Sequence, residues 1–371
     1  IIKANYAQLS ELITSFGLIA EIRKTEELNS FWLNQNITEN NDWIEEALNL
    51  VDFTKTNNFI SILDSGINNG HRLIEPILDE VNRLTVEPGW GVNDSMGHGT
   101  SMAGIAIYGN LNAILENKKP LEIHHQIESV KILHPNLPNE QNKYPLITLE
   151  AVNRAIINNP NAKRIFCMAV TTDFQVDFGK PSAYSSVLDS IIFGEDINDK
   201  KIFLVSAGNV RGEHNWKNYP VSNLNLSVES PAQSWNAISI GAYTEKILPD
   251  AATVANKFEL SPFSTTSSSW DSNWPIKPEV VFEGGNLIRL ENGDVEGHDD
   301  LEVLTTSRNS IRHHFTTMNA TSAATAFAAY FLAKLRDSYP NAWVETLRAL
   351  MIHSASWSEE MIAQFEIDTN K

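Results

Sequence analysis

The stretch that decides the fold is Phe59-Ile-Ser-Ile-Leu-Asp-Ser-Gly66. Its first five residues are mostly apolar and β-branched or aromatic, so they predict a buried strand over 59–63. Asp64 follows the last of these residues, and Gly66 predicts a turn directly after it. In a mostly parallel sheet, such a strand presents its carboxylate at the edge where functional groups gather.

Similar short apolar runs recur along the chain and alternate with helical segments. Four more strands are predicted, over Ser129–Leu133, Ile165–Val170, Ile202–Ser206 and Ala237–Gly241. Helices are predicted between them, over Thr148–Ile157 and Ser182–Phe193. This alternation favours an α/β fold, with a mostly parallel sheet covered by helices on both faces.

The amino-terminal part of the chain has a different character. Apolar residues recur at helical spacing over Tyr6–Ile22 and again over Trp43–Val51, with a polar stretch between them. We therefore expect a small helical extension over residues 1–50, followed by one large domain over residues 51–371.

Two later regions also depart from the alternation. Lys246–Asp300 holds several prolines, a Ser/Thr cluster and an acidic loop, so long surface connections are expected there. Ser322–Arg336 is rich in alanine and aromatic residues and is apolar nearly all round, which predicts a buried helix.

Charge and hydropathy exclude some classes of function. The 371-residue chain has a formal net charge of −18, which argues against nucleic acid as its main partner, because phosphate backbones attract basic surfaces. The acidic surface either keeps the protein in solution or favours basic or unfolded peptide segments. The sequence contains no run of about 18 apolar residues, so no membrane span is expected.

Three motifs hold residue types used in nucleophilic catalysis, and each has a structural alternative. Asp64 could equally be a helix cap or a metal ligand. In Gly97-His-Gly-Thr-Ser-Met-Ala-Gly104 the glycines allow close backbone approach and leave the His98 imidazole exposed, although a lone histidine is usually structural. In Asn319-Ala-Thr-Ser-Ala-Ala-Thr325, Ser322 stands at the positive end of the buried helix, or is simply its N-cap.

Taken together, the three motifs point to one chemistry. They follow in the order Asp, His, Ser, as in subtilisin, and His98 lies 34 positions after Asp64. The segments Leu63-Asp-Ser-Gly66, Gly97-His-Gly-Thr100 and Thr321-Ser-Ala-Ala324 resemble the signatures of the subtilase family of serine endopeptidases. The resemblance covers roughly Trp43 to the end and implies a subtilisin-like three-layer sandwich. It also implies a catalytic triad, with Ser322 as nucleophile, His98 as general base and Asp64 orienting the base.

Further segments fit the same family outline. Val205-Ser-Ala-Gly-Asn209 resembles the segment that bears the oxyanion-hole asparagine, which implies that role for Asn209. The position of Met168-Ala-Val170 implies that Met168, Ala169 and Val170 bind the substrate backbone, although the family usually has Ser-Leu-Gly there. Ala320 replaces the usual glycine two residues before the serine, and Ala323 replaces a usual methionine. These departures concern the fine geometry of the turn rather than the chemistry.

A narrower resemblance concerns partner and compartment. Met102-Ala-Gly104, Phe166-Cys-Met-Ala-Val170 and Ala349-Leu-Met-Ile-His-Ser-Ala355 resemble a bacterial intracellular subtilase subgroup. Its genes often lie beside an AAA-type ATPase, in plasmid-maintenance or phage-defence pairs, which implies an ATPase partner and a cytoplasmic location. Cys167 fits this compartment, because a single thiol cannot form an internal disulfide, and its apolar run predicts a core strand residue. Secretion is the alternative, since the sequence begins with Ile1 and a signal peptide could have been removed.

No metal site or other cofactor is predicted, although calcium is left open. His124-His125 and His313-His314 lack the i,i+4 spacing and the acidic companion of a zinc motif. The segment Gly297-His-Asp-Asp300 could bind calcium through its carboxylates, or it could be a solvated loop.

Two rival functions keep the same motifs. A pseudoprotease would bind peptides or a partner ATPase without cutting, and an esterase or ligase-like transferase would use the triad in another reaction. The presence of Asp64, His98 and Ser322 together favours a peptidase that acts on polypeptides, because a binding module does not need all three.

Overall fold

Seven parallel strands form the central sheet of the protein, seen here in a computed structural model that describes residues 5–17, 27–116, 120–137, 139–172, 178–194 and 199–365. The strands of the described chain are β1 (Val51–Phe53), β2 (Asn58–Asp64), β3 (Arg83–Thr85), β4 (Leu121–Ile123), β5 (Gln126–Lys131), β6 (Lys163–Met168), β7 (Ile202–Ser206), β8 (Ile238–Tyr243), β9 (Val280–Glu283), β10 (Ile288–Arg289), β11 (Val295–Glu296), β12 (Val303–Thr306) and β13 (Phe315–Met318). The order in the central sheet is β3-β5-β2-β6-β7-β8-β9.

Helices cover both faces of this sheet. They are α1 (Tyr6–Ser15), α2 (Asn29–Leu33), α3 (Ile37–Leu48), α4 (His98–Tyr108), α5 (Leu111–Glu116), α6 (Tyr144–Asn158), α7 (Ala183–Phe193), α8 (Glu213–Lys217), α9 (Val221–Asn225), α10 (Ala320–Ser338), α11 (Val344–Ser354) and α12 (Glu359–Phe365). Because side chains alternate along a strand, Ile60 and Ile62 of β2 pack towards α4 and α10, whereas Phe166 and Met168 of β6 pack towards α6 and α7. The predicted three-layer α/β fold is confirmed.

The five strands predicted from the sequence all exist, with ends shifted by three residues or fewer. The helix predicted from Ser182 begins one residue later, because the Ser182 hydroxyl caps it by accepting the Ser185 N–H at 3.0 Å. The helix predicted over 322–336 is α10, and most of its side chains are buried, as expected.

The expectation of long surface connections over 246–300 is wrong in one part. Val280–Glu283 forms β9, the edge strand of the central sheet beside β8. Pro275 and Pro278 lie just before this short strand, and prolines are typical of loops, so the sequence pattern did not predict it. The fully buried side chain of Lys277 donates to the Ala237 carbonyl at 3.1 Å and to Glu279, and these bonds tie the start of β9 to the sheet.

The amino-terminal helices differ in how they pack. In α1 no side chain is buried, and the rest of the helix predicted over 6–22 lies outside the described residues. By contrast, Trp32 of α2 and Ile44 of α3 are fully buried in the same apolar cluster as α4 and α10. The domain boundary at residue 50 stays a prediction.

Two expectations from composition concern Cys167 and membranes. Cys167 lies on β6 and is fully buried, as predicted, and burial raises the pKa of its thiol. Within the described part of the chain, no helix combines the length and apolarity that a bilayer crossing requires.

Candidate active site

The four residues with predicted chemical roles lie at one edge of the molecule. Asp64 is the last residue of β2, and Asn209 lies three residues beyond the end of β7. His98 begins α4, and Ser322 lies in the first turn of α10, which packs against α4. The Ala320 N–H holds the start of α10 just beyond β9 by donating to the Gly284 carbonyl at 2.7 Å. All four are therefore at the carboxyl edge of the parallel sheet.

Asp64 and His98 form a direct pair. The distance from Asp64 Oδ2 to His98 Nδ1 is 2.8 Å, and the other carboxylate oxygen accepts the Ser65 N–H at 2.7 Å. The Asp64 side chain is 1% exposed, whereas 35% of the His98 side chain is exposed. The carboxylate thus fixes one nitrogen of an imidazole whose other nitrogen is left for a reacting group.

The environment of His98 favours its charged form. Burial alone would lower the pKa of His98, but the charge of Asp64, its hydrogen bond and the charge of Asp94 together outweigh burial and raise that pKa. A base with a raised pKa accepts a proton more readily, provided the pH is high enough to keep it neutral beforehand.

Two glycines make the Asp64–His98 contact possible. A Cβ atom on Gly99 would lie 2.1 Å from the Gly66 carbonyl oxygen and 3.3 Å from the Asp64 Cβ. Gly66 itself has φ +95°, and a Cβ there would lie 2.6 Å from the Val92 carbonyl oxygen. The close backbone approach that the sequence predicts around His98 is confirmed.

Asp94 holds these segments in register, a role that the sequence did not assign. Its Oδ1 accepts the Ser65 hydroxyl at 2.8 Å and the Gly97 N–H at 2.7 Å, while its Oδ2 accepts the Thr100 N–H at 2.9 Å. One buried carboxylate thus joins the turn after β2 to the start of α4. Its position four residues before His98 is the signal that could have revealed it.

Ser322 is the third residue of α10 rather than its cap. The N-cap is Asn319, whose side chain makes no capping bond, so the alternative that Ser322 caps the helix is wrong. Ser322 is 8% exposed, and its N–H belongs to the first helical turn, where the backbone donors have no intrahelical acceptor. That N–H lies at the positive end of a long buried helix.

The turn before Ser322 is strained at the position where the sequence departs from the subtilase pattern that it resembles. Ala320 has φ +65°, in the left-handed region that favours glycine. Its N–H bond to Gly284 holds it there, and a Cβ on Gly284 would lie 2.8 Å from the Ala320 carbonyl oxygen. The close packing of these two residues therefore keeps Ala320 in its strained conformation.

Asn209 lies against the same turn. Its Oδ1 accepts the Thr321 N–H at 3.1 Å and the Thr321 hydroxyl at 2.7 Å. Because the amide oxygen is held in this way, the orientation of the amide is fixed and its NH₂ group remains available as a donor. Thr321, the residue just before Ser322, positions the Asn209 amide, and the sequence motifs did not predict this role.

A charged group beside Asn209 was also missed. Glu229 accepts the Thr171 hydroxyl and pairs with Arg211, and its side chain is 16% exposed. A Cβ on Gly208 would lie 2.5 Å from the Glu229 Cγ, so this carboxylate lies directly behind the segment that carries Asn209. The signal in the sequence is its place just before Ser230-Pro-Ala232.

The predicted substrate-binding segment lies partly inside the central sheet and partly beyond its carboxyl edge. Met168 is fully buried and still pairs with Val205 of β7 within the sheet. Ala169 and Val170 lie beyond the last pair, at the same carboxyl edge as the catalytic candidates. Any substrate contact of this segment therefore falls mainly on Ala169 and Val170.

His125, His314 and the acidic loop have partners within the protein. His125 Nε2 lies 3.0 Å from the Ala106 carbonyl oxygen, and His314 Nε2 lies 2.9 Å from Asn41 Oδ1. Asp300 accepts the Ser30 N–H at 2.7 Å and so caps α2. Across the described ranges, no three His, Cys, Asp or Glu side chains cluster as a metal site would require.

Comparisons with known proteins identify the family and the fold. A sequence model of the subtilase family matches residues 55–369. The uncharacterized protein y4bN of Sinorhizobium fredii is 26% identical over 241 residues, which cover 59% of this chain and 54% of that protein. The chain thus spans about half the length of this curated relative.

Similar solved structures are those of proteases. Sphericase has a TM-score of 0.54 at 16% identity, covering 82% of this chain and 84% of its own. A psychrophilic protease has a TM-score of 0.53 at 17% identity, with coverage of 81% and 84%. A cold-adapted subtilisin-like serine proteinase has a TM-score of 0.51 at 16% identity, with coverage of 82% and 84%. At these identities the likeness concerns the fold, which is subtilisin-like.

Proposed function

The chain belongs to the subtilase family of serine endopeptidases, and we propose that it cleaves polypeptides with Asp64, His98 and Ser322 as its catalytic triad. The observation that carries this proposal is the 2.8 Å contact between Asp64 and His98, at the sheet edge where the first turn of α10 carries Ser322. The pairing of a buried carboxylate with a part-exposed imidazole supports this role for Asp64 over that of a helix cap.

In the proposed reaction Ser322 attacks the scissile carbonyl carbon. His98 Nε2 takes the proton of the Ser322 hydroxyl and later gives it to the leaving amine. Asp64 fixes the tautomer with the proton on Nδ1 and stabilises the imidazolium without becoming protonated itself. The raised pKa of His98 is consistent with this stabilisation.

The oxyanion of the tetrahedral intermediate requires two donors. We assign them to the side-chain NH₂ of Asn209 and the backbone N–H of Ser322. Thr321 engages the opposite end of the Asn209 amide, so the donor is oriented before the substrate arrives. Removal of one such donor typically costs about 10² to 10³ in kcat.

The substrate backbone is proposed to pair with the segment Met168-Ala-Val170. Ala169 and Val170 extend past the sheet, so their backbone groups can add hydrogen bonds to an extended peptide. A peptide N-methylated at the residues upstream of the scissile bond should show a raised KM, whereas methylation far downstream should not. Equal KM values for the two peptides would remove this assignment.

Labelling with a fluorophosphonate tests the nucleophile. Wild type should react, and Ser322→Ala should lose both the label and about five to six orders of magnitude in kcat. Ser338→Ala, at the far end of the same helix, is the matched control and should label like wild type. Equal labelling of wild type and Ser322→Ala, or no labelling at all, would refute the triad.

The same proteins separate the rival functions. A peptidase digests casein and needs Ser322 to do so. An esterase hydrolyses activated esters and leaves casein intact, while a pseudoprotease binds peptide without releasing products. We expect casein cleavage by wild type and by Ser338→Ala but not by Ser322→Ala.

The proposed chemistry uses no cofactor, and calcium is proposed at most as a structural ion near Gly297–Asp300. The Asp300 carboxylate already caps α2 through Ser30, which leaves it little capacity for a cation. We expect EDTA to change neither turnover nor Tm, as measured before and after calcium is restored. A Tm that falls with EDTA and recovers with calcium would place an ion in the protein.

An ATPase partner and a cytoplasmic location are proposed on the segment resemblances alone. The buried thiol of Cys167 is compatible with a reducing compartment. Affinity purification from the native host tests the partner: recovery of an AAA-type ATPase that alters casein cleavage supports the pairing. Co-purification of none, from cells in which the peptidase is active, would contradict it.

A further inference from the structure

A large cavity lies at the edge of the sheet opposite the proposed active site. Its volume is about 1010 Å³, and its lining includes Lys163 at the start of β6 and Lys201 just before β7. Arg336 and Trp343 line it from the end of α10 and the start of α11. Since Ser322 and Arg336 are 14 residues apart on α10, they lie about 21 Å apart along its axis. We call this space the amino-edge cavity.

Arg336 is the unusual residue of the amino-edge cavity. It is 5% exposed, and its Nη1 has no hydrogen-bond acceptor among the residues that the structure describes. Burial lowers its pKa to about 10, so the guanidinium still carries its charge at neutral pH. A buried cation without a partner is destabilising, and the planar guanidinium fork is suited to binding an oxyanion through two parallel hydrogen bonds.

The other charges of the cavity show how much is left unbalanced. Three lining cations are paired with carboxylates: Arg164 with Glu128, Lys201 with Asp199, and Lys200 with Glu345. Lys163, which is exposed, donates instead to the Pro340 carbonyl at 2.6 Å, and Arg336 adds a second positive charge with no carboxylate partner among the described residues. Two unbalanced positive charges match a phosphate group, which carries about −1.5 to −2 at pH 7.

The position of Arg336 at the end of a helix is not a sufficient explanation. A cation in the last turn interacts favourably with the negative end of the helix dipole. That interaction does not satisfy the guanidinium N–H groups, and it does not explain the unbalanced charge of Lys163 at the same cavity. The excess positive charge is also contrary to the character of a chain whose net charge is −18.

We propose that the amino-edge cavity binds the phosphate group of a small phosphorylated molecule, with Arg336 and Lys163 as its cationic contacts. Trp343, whose side chain is 78% exposed, forms an aromatic wall of the same cavity. An aromatic face stacks on a nucleobase, so the phosphate can come from a nucleotide or from free phosphate.

Calorimetric titration of the full chain at low salt distinguishes these sources. Inorganic phosphate and AMP are titrated into wild type, Arg336→Met and a control, Arg312→Met, which changes an exposed arginine elsewhere. Arg336→Met should weaken phosphate binding by about 10- to 100-fold, because a charge-assisted contact is lost, and the control should bind like wild type. Tighter binding of AMP than of phosphate, abolished by Trp343→Leu, identifies a nucleotide; equal binding identifies free phosphate.

The result that overturns the proposal is equally defined. No binding of either ligand at millimolar concentrations, or equal binding by wild type and Arg336→Met, would exclude the site. Thermal unfolding without ligand gives a second test. Arg336→Met should raise Tm, because it removes a buried charge without a partner. A lower Tm would assign Arg336 a structural role and count against the proposal.

Discussion

The proton affinity of His98 sets the pH range in which the proposed triad can work. The base must be neutral before it can accept the serine proton, and its pKa is raised above the ordinary value of 6.5. The acidic limb of kcat/KM against pH should therefore have its midpoint above 6.5. A pH profile with a specific peptide measures it, and a midpoint at or below 6.5 would contradict the assigned electrostatics.

Asp94 allows the source of this shift to be tested. Its charge is one of the causes that raise the pKa of His98, so Asp94→Asn should move the acidic limb to lower pH. Asp79→Asn, an exposed carboxylate that pairs with Lys55, should leave the limb in place. Thermal unfolding reports separately on the capping bonds that Asp94 makes.

Close packing of glycines at the site gives a test of geometry. In Gly99→Ala the new Cβ would lie 2.1 Å from the Gly66 carbonyl oxygen, so α4 must move away from the end of β2. A displacement on the order of 1 Å costs about 10² in rate, and overpacking costs about 1–3 kcal/mol of stability. Gly70→Ala, where nothing lies within 4 Å of the new Cβ, should change neither kcat/KM nor the urea midpoint.

At the scale of elements, the buried strands were the most predictable part. Ile202–Ser206 has the predicted ends, because a continuous apolar run is an unambiguous signal for a strand covered on both faces. By contrast β9 has only four residues and follows two prolines, and its place in the sheet depends on Lys277 contacts with β8 that local sequence cannot reveal.

The catalytic candidates could be predicted from the order of their motifs along the chain. The contacts that join distant parts of the chain could not. The order of Asp64, His98 and Ser322 is written in the sequence. The bonds that Thr321 makes to Asn209 join residues 112 positions apart, and no local pattern encodes them. The same holds for Arg336, whose Nη1 has no acceptor in the described part of the chain, because only the packing of α10 against the sheet places it there.

The packing of α2 gives a test of the predicted boundary at residue 50. Trp32 is fully buried in the main apolar cluster, and Asn29 donates to the Asp299 and Glu302 carbonyls at 2.6 and 2.9 Å. Trp32→Ala should lower the free energy of unfolding of the main transition by about 3–5 kcal/mol. Trp357→Ala, at an exposed site, should change it by no more than about 0.5 kcal/mol. An unchanged main urea transition in Trp32→Ala would instead support an independent extension.

At the scale of the whole molecule, charge and chemistry are divided between the two edges of the sheet. The chain has 46 acidic and 28 basic residues, yet unbalanced cations collect at the amino-edge cavity. At the opposite edge, Asp64 pairs with His98, Asp94 bonds the turn after β2, and Glu229 lies behind the segment of Asn209 and pairs with Arg211. From the net charge of −18 we expect a peptide that approaches the active site to meet a negative field.

This field distinguishes the two interpretations of the acidic surface. If it attracts basic segments, kcat/KM for a peptide flanked by lysines should fall on going from low to high salt by about tenfold or more, because screening shortens the range of the attraction. The same peptide with glutamines in place of the lysines should change little. Hydrolysis rates at a series of sodium chloride concentrations measure both slopes. Equal slopes would mean that the charge of −18 serves solubility alone, and that substrate choice rests on contacts inside the cleft.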